Sequence, residues 1–207
     1  MPKNQAVVLY TPTCYNRPME STNDVKIIAF VGMPGAGKSS AVDYISQRGY
    51  PTVYFGGVVL QAIKDAGLPV TPANEKRMRQ QLRQDEGKDV IVKRISQQIR
   101  QLIAEGHSRI VADGLYSWTE YTYLQRAFPG QLYVMAIIAP RGLRHQRLAQ
   151  RPERPLTPAE ALDRDYAEIE NVEKGGPIAI ADHYIMNTGS LEDLHTSIER
   201  ELTASGI

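Results

Sequence analysis

Lys38 and Ser39 close the run Gly32-Met33-Pro34-Gly35-Ala36-Gly37-Lys38-Ser39, which fits the pattern G-x-x-x-x-G-K-[ST] at every fixed position. These residue types suit a polyphosphate. Backbone N–H groups reach phosphate oxygens only where no side chain stands between them. Glycine at 32, 35 and 37 removes the Cβ atoms and permits positive φ. Gly32, Pro34, Gly35, Ala36, Gly37 and Ser40 are therefore the expected backbone cradle. Lys38 would reach the β- and γ-phosphates of ATP, and the Ser39 hydroxyl would ligate Mg²⁺. A helix starting here adds unpaired N–H groups and a partial positive charge. The bland alternative is a glycine-rich turn with an incidental lysine, and the flanking elements decide against it.

Asp113 stands beside Gly114 at the end of an apolar run. At the carboxyl end of a parallel strand its carboxylate could hold Mg²⁺ through water or take a proton from an attacking hydroxyl. A turn-capping aspartate is the competing reading. Between residues 141 and 164 there are six arginines and only three acids. Arg144, Arg147 and Arg151 fall at i, i+3 and i+7 on one helical face. Arginine is planar, permanently charged and bidentate, which suits a transferring phosphoryl group. The Pro-flanked segment reads as a lid over the phosphates, with Arg147, Arg151 and Arg164 as its preferred residues. A solvated charged face is the alternative for any one of them.

Arg83 and Arg94 flank Asp85-Glu86-Gly87 and, with Tyr116, are acceptor-side candidates. Ordinary helical ion pairs explain the arginines equally well. Trp118 reads as core packing. His107, His145, His183 and His195 lack metal-ligand spacing and receive no role.

The elements that must position these residues alternate. Lys26 to Val31 is a β-rich apolar run, Ser40 to Arg48 has a helical apolar face, and Thr52 to Phe55 reads as a second strand. Val58 to Ala66 follows as a helix. Thr71 caps another helix with Pro72 at its first position, running to about Glu86, and Asp89 to Glu105 continues after Gly87. Arg109 to Ala112 and Leu132 to Ile138 are buried strands separated by a helix over 117–127. Helices are expected from Pro140 and from Thr157 to about Lys174, where Gly175-Gly176-Pro177 breaks the pattern. His183 to Met186 is a last strand, and Ser190 with Asp193 caps the terminal helix. The alternation predicts an α/β fold with a parallel sheet covered on both faces. Two helices between the second and third strands exceed a minimal crossover and suggest an inserted lobe. Residues 1–24 read as an N-terminal extension or loosely docked arm, with a short strand at Ala6 to Tyr10.

The chain has 207 residues, 42% of them hydrophobic, and a net charge of +1. That size suits one domain with a core. The charge gives no global pull toward nucleic acid or an anionic membrane. Cys14 is the single cysteine, which suits a reducing cytoplasm. No apolar run approaches the ~18 residues of a membrane span, and no secretory leader is evident.

With these residues in hand, the chain resembles the adenylate-kinase-related branch of P-loop nucleotide kinases, and in particular a family labelled dephospho-CoA-kinase-like or nucleotide-kinase-like. The resemblance runs from about Lys26 to the C-terminus. It rests on the glycine loop, on Leu82 to Gly87 with Lys93-Arg94, and on Ala112-Asp113-Gly114. It continues through Arg147-Leu148 to Arg151, Arg164-Asp165 with Glu168, Ala181-Asp182, and Asn187 to Leu191. It implies a three-layer αβα P-loop NTPase domain over 25–207, with a five-stranded parallel sheet in the order 2-3-1-4-5. It also implies a helical acceptor lobe at 56–106 and an Arg-rich lid at 141–176. The implied activity is ATP- and Mg²⁺-dependent transfer of the γ-phosphate to a small nucleotide-like acceptor, by a monomer or homodimer. Asn187 and Gly189 would lie beside the donor adenine. Two arginines that grip the acceptor phosphate in nucleoside-monophosphate kinases are absent: Leu60 follows the second-strand glycines, and Leu115-Tyr116 follow Asp113-Gly114. This argues against an AMP-type acceptor and keeps open a regulatory P-loop ATPase that acts on a protein partner.

Overall fold

The computed structural model describes residues 25–207. The expected strand at Ala6 to Tyr10 and the lone Cys14 lie outside the described residues. The elements run β1 (Lys26–Val31), α1 (Lys38–Ser46), β2 (Thr52–Tyr54), α2 (Phe55–Asp65), α3 (Pro72–Glu86), α4 (Val90–Ala104) and β3 (Arg109–Asp113). Then come α5 (Trp118–Ala127), β4 (Leu132–Ile138), α6 (Arg141–Ala149), α7 (Pro158–Glu170), α8 (Gly175–Ala179), β5 (His183–Met186) and α9 (Leu191–Ala204). The five strands form one sheet in the order β2-β3-β1-β4-β5, and every neighbouring pair is parallel. This is the P-loop NTPase arrangement.

β1 is the middle strand and is buried on both faces, as its unbroken apolar run requires. Ile27, Ala29 and Val31 point into one core, with Val58, Ile63, Ile95, Ile99 and Leu124 from α2, α4 and α5. Ile28 and Phe30 point into the other, with Ala41, Ile45, Leu194 and Ile198 from α1 and α9. Period-2 alternation along one strand thus holds both helical layers. The caps agree with the residue types. Thr71 accepts from the Asn74 amide before Pro72, and Ser190 and Asp193 form a reciprocal capping box.

Three local readings are corrected. Phe55 belongs to α2, because its side chain is buried at that helix's start and not in the sheet. The helix from Thr157 ends at Glu170, and 175–179 is a short helix instead of a break. Pro177 sits in that helix's first turn, where its missing N–H costs no hydrogen bond. Trp118 is not in the core: it is 41% exposed and stacks on Tyr121 with ring centroids 5.4 Å apart.

α6 and α7 are joined by a buried ion pair. Arg144 is 7% and Asp165 5% exposed, and the guanidinium makes two parallel bonds to the carboxylate at 2.7 and 2.8 Å. His145 Nε2 lies 3.0 Å from the same carboxylate. Burial pushes the Asp165 carboxyl up, but the bonds from Arg144 and His145 outweigh this and hold it below the usual range. Removing one member of such a pair leaves an uncompensated buried charge. Arg144→Met should therefore lower unfolding stability by about 3–5 kcal/mol. The double variant R144M/D165N should lose less. Urea unfolding of the three proteins checks this, and an unchanged midpoint in R144M would show that the pair is not a structural tie.

Candidate functional site

The loop between β1 and α1 is shaped by what lies behind it as well as by what it could bind. Gly32, Gly35 and Gly37 have φ of 148°, 78° and 107°, all in the positive range. A Cβ at Gly32 would come within 2.3 Å of the Ile137 carbonyl oxygen. One at Gly35 would meet the Arg144 carbonyl oxygen at 2.5 Å, and one at Gly37 the Asn187 Nδ2 at 2.2 Å. The glycines therefore let the loop press against β4, α6 and the end of β5, while its other side faces outward.

Two buried side chains fix the loop's carbonyls. Arg144 Nη1 donates to the Pro34 oxygen at 3.0 Å, and Asn187 Nδ2 donates to the Ala36 oxygen at 2.8 Å. These two oxygens are thus held by the protein, and within the loop the Ala36 amide donates to the Met33 oxygen at 3.1 Å. Asn187 is 7% exposed and its amide is committed to the loop. Its side chain therefore supports the cradle from behind and does not lie free for an adenine ring. At Gly189 a Cβ would run into Asp193 Oδ2, so that glycine serves the cap of α9.

Lys38 Nζ donates to the Gly32 oxygen at 2.7 Å and lies 3.4 Å from the Met33 oxygen. Its amine thus curls back onto the loop's first carbonyls. Burial first, and then the positive charge of Lys174, lower its pKa to about 7. Asp113 ends β3, opposite Tyr54 of β2. Burial pushes its carboxyl up, Lys38 pulls it down, and Asp43 adds to the upward shift. Lys38 and Asp113 are thus within electrostatic reach at the carboxyl edge of the sheet. Ser39 is exposed in the first turn of α1.

The arginines separate into different environments. Arg164 Nε lies 3.7 Å from Glu168 on α7. Arg151 is lowered by burial and by Arg164, so these two arginines approach one another. Arg147 Nη1 is buried with no hydrogen-bond partner among the described residues. On the acceptor side, Arg94 is paired with Glu86 at 2.5 Å and Arg83 is exposed. Arg94 also lines a groove with Tyr54, Gly57, Val58, Gln61 and Gln98. Tyr54 lies across Gly56, where a Cβ would come within 2.4 Å of its ring and hydroxyl.

Tyr116 lies beneath the Lys174 ammonium, 4.4 Å from the ring centroid, and burial and Asp113 push its phenol up. Sequence reasoning gave no role to Lys174 or to Asp165 and Glu168, and passed over Arg144 among its arginines. Arg144 and Asp165 are 21 residues apart on different helices, a spacing without a local signal. Among the described residues no group of three or more His, Cys, Asp or Glu could hold a metal ion, and no helix is long and apolar enough to cross a membrane.

Comparison with known proteins bears on the family and the fold. The AAA domain family model matches residues 28–173. A UPF0200 protein of Thermococcus gammatolerans is 33% identical over 176 residues, covering 84% of this chain and 92% of the relative. A UPF0200 protein of Aeropyrum pernix is 34% identical, covering 84% and 90%. Among solved structures, shikimate kinase from Bacteroides thetaiotaomicron has a TM-score of 0.55 at 11% identity, covering 88% of this chain and 99% of that one. TT1252 from Thermus thermophilus has a TM-score of 0.53 at 22% identity, covering 87% and 97%. These two likenesses are of fold.

The Lys38 shift yields a signed prediction. Its folded pKa of about 7 lies below the ordinary 10.5, so between those values the unfolded chain holds more protons. Through this group, stability of the empty protein rises as pH climbs from about 7. A bound polyphosphate favours the charged amine. ATP binding at about pH 8.5 should then take up close to one proton, and at about pH 6 almost none. Calorimetry in two buffers of different ionisation heat reads this directly. Equal heats at pH 8.5 would show that Lys38 gains no proton when the nucleotide binds.

Proposed function

The chain belongs to the AAA domain family and to the UPF0200 proteins, and from that membership and the geometry of the loop we propose that it is an ATP- and Mg²⁺-dependent phosphotransferase. The observation that carries this is the Lys38 amine curled back onto a glycine cradle, two of whose carbonyls are held by Arg144 and Asn187. A glycine loop of this shape at a helix start, with a lysine amine beside it, supports the binding of a triphosphate tail.

In this reading the loop amides and Lys38 bind the donor phosphates. Ser39 and Asp113 suit Mg²⁺, which takes one or two protein oxygens and otherwise keeps water and phosphate ligands. A magnesium ion held by these two residues would supply positive charge against the nucleotide's phosphates. The acceptor hydroxyl oxygen forms a bond to the γ-phosphorus while the bond to the β–γ bridging oxygen breaks. ADP leaves, and the hydroxyl proton passes to Asp113 or to water. Arg147, Arg151 and Arg164 stabilise charge on the transferring group. The acceptor is a small molecule lying on the side of Tyr54, Tyr116 and Arg94, and Arg83 is its further candidate contact. Its class is nucleotide-like, without an AMP-type phosphate grip.

A second reading rests on a specific observation. Leu60 and Leu115 stand where an acceptor phosphate would call for arginine, and Leu115 is fully buried. A regulatory ATPase, closing on nucleotide and signalling to a protein partner, needs no such grip.

Labelled ATP supplied with a panel of nucleosides, nucleotides and dephospho-CoA separates the two. A kinase should form ADP at least roughly tenfold faster with one acceptor present. A switch should hydrolyse slowly whatever small molecule is added. Lys38→Ala should lower turnover by roughly 100-fold or more while circular dichroism remains unchanged. Full activity in that variant would remove the mechanism.

A further inference from the structure

Beside the groove at Tyr54 lies a second hollow of about 430 Å³ that no step of the proposed reaction uses. α2 supplies Leu60 and Lys64, and the α2–α3 connection supplies Gly67, Leu68 and Val70. The two hollows adjoin, because Gly57 and Gln61 line both. Gly57, Leu60, Gln61 and Lys64 fall at i, i+3, i+4 and i+7, so they form one stripe of α2. The connection opposite this stripe is tied at both ends. The Gly67 and Leu68 amides donate to the Lys64 and Ile63 oxygens, both at 3.0 Å. The Pro69 oxygen accepts from Asn74 Nδ2 at 2.8 Å, and Thr71 caps α3. Val70 is thus held between anchored neighbours, yet it is 60% exposed. An apolar side chain kept in water by a tied connection, walling a concavity with two leucines, marks a ligand surface.

The sheet sets the order of the parts. Asp113 and Tyr54 are register partners at the carboxyl edge, so their backbones stand about 5 Å apart. Gly57 comes next, where a Cβ would lie 3.4 Å from Tyr54 Cδ1. The second hollow continues from Gly57 and Gln61. A molecule with a hydroxyl at Asp113 and a ring against Tyr54 therefore extends toward Leu60 and Val70. The polar groups along this path are engaged. Arg94 is paired with Glu86 at 2.5 Å, and Gln61 Nε2 donates to Asp65 at 2.8 Å. Lys64 is exposed in the last turn of α2, where its ammonium meets water and that helix's carbonyl end. Leu60, Leu68 and Val70 offer hydrocarbon alone. The part of a ligand that reaches them is therefore apolar and uncharged.

We propose that the hollow at Leu60, Leu68 and Val70 is the outer half of the acceptor site and takes an uncharged aliphatic arm carried on the acceptor's ring. The acceptor is then a hydroxyl compound with its parts in line: a reacting hydroxyl, a flat ring and a hydrocarbon tail. The proposal rests on the reading that the acceptor lies beside Tyr54. A bare nucleoside occupies the groove at Tyr54, of about 310 Å³, and leaves the second hollow to water. Contacts to the arm are the same before and during phosphoryl transfer, so they lower KM and leave kcat unchanged.

The test titrates two homologous series, N6-alkyladenosines and N4-alkylcytidines from methyl to butyl, into wild type, V70D and V70I without ATP. In at least one series the wild-type affinity should rise about threefold per added methylene. V70D places a charge in the hollow and should abolish that rise, with the methyl member within about twofold of wild type. V70I should keep the rise. Val70 lies outside the core, so both variants should fold, and circular dichroism checks this. With ATP·Mg²⁺ the longer members should show a lower KM at unchanged kcat. A rise in neither series, or an equal rise in V70D, would overturn the proposal. If neither series shows the rise and V70D breaks up a dimer seen in sedimentation, the hollow belongs to a second copy and the proposal is equally overturned. A rise lost in V70D but with no ADP formed from any member would leave a ligand site and remove it from the acceptor. Failure of wild type to bind ATP, measured separately, would fall on the cradle reading and not on the hollow.

Discussion

The buried Arg144 guanidinium, bonded to the Pro34 carbonyl on one side and to Asp165 on the other, sets the relation between the glycine loop and the two helices after β4. A loop of small residues has little packing of its own and would sample many shapes. Here one planar cation with fixed donor directions ties it to α6 and α7 together. Asn187 does the same from the end of β5. The outward side of the loop is defined because its inward side is fully engaged. Phosphate binding then requires little ordering of the protein when the ligand arrives.

The same constraint explains the three glycines more fully than ligand access does. Each would place a Cβ into a neighbouring backbone or amide. The pattern that signals phosphate binding is therefore also a pattern of close packing: β4, α6 and Asn187 crowd the loop from behind. Both demands fall on the same three positions.

Much of the architecture could be read from the sequence because its signals are local. The apolar runs of β1 and β4, the caps at Thr71 and Ser190, and the full loop pattern each lie within a dozen residues. The site was legible where it follows from those elements: Lys38, Ser39 and Asp113 lie at the carboxyl edge of the sheet, as strand and loop order require. What was not legible depends on partners far apart in the chain. Arg144 appeared only as one member of an arginine row, and nothing in its neighbourhood names Asp165 or Pro34. Lys174 was hidden by Gly175-Gly176-Pro177, which read as a stop but is the start of α8. Trp118 was misplaced because indole area usually favours burial, whereas here the ring lies over a glycine near the surface.

The Asn187–Ala36 bond spans 151 residues, and this bears on how the protein is made. On a ribosome the glycine run emerges early, yet its support from β5 is not yet synthesised. A nascent chain stopped anywhere before Asn187 has the signature motif without this inward brace. The brace behind the loop is therefore completed late in biogenesis, only after Asn187 has left the exit tunnel.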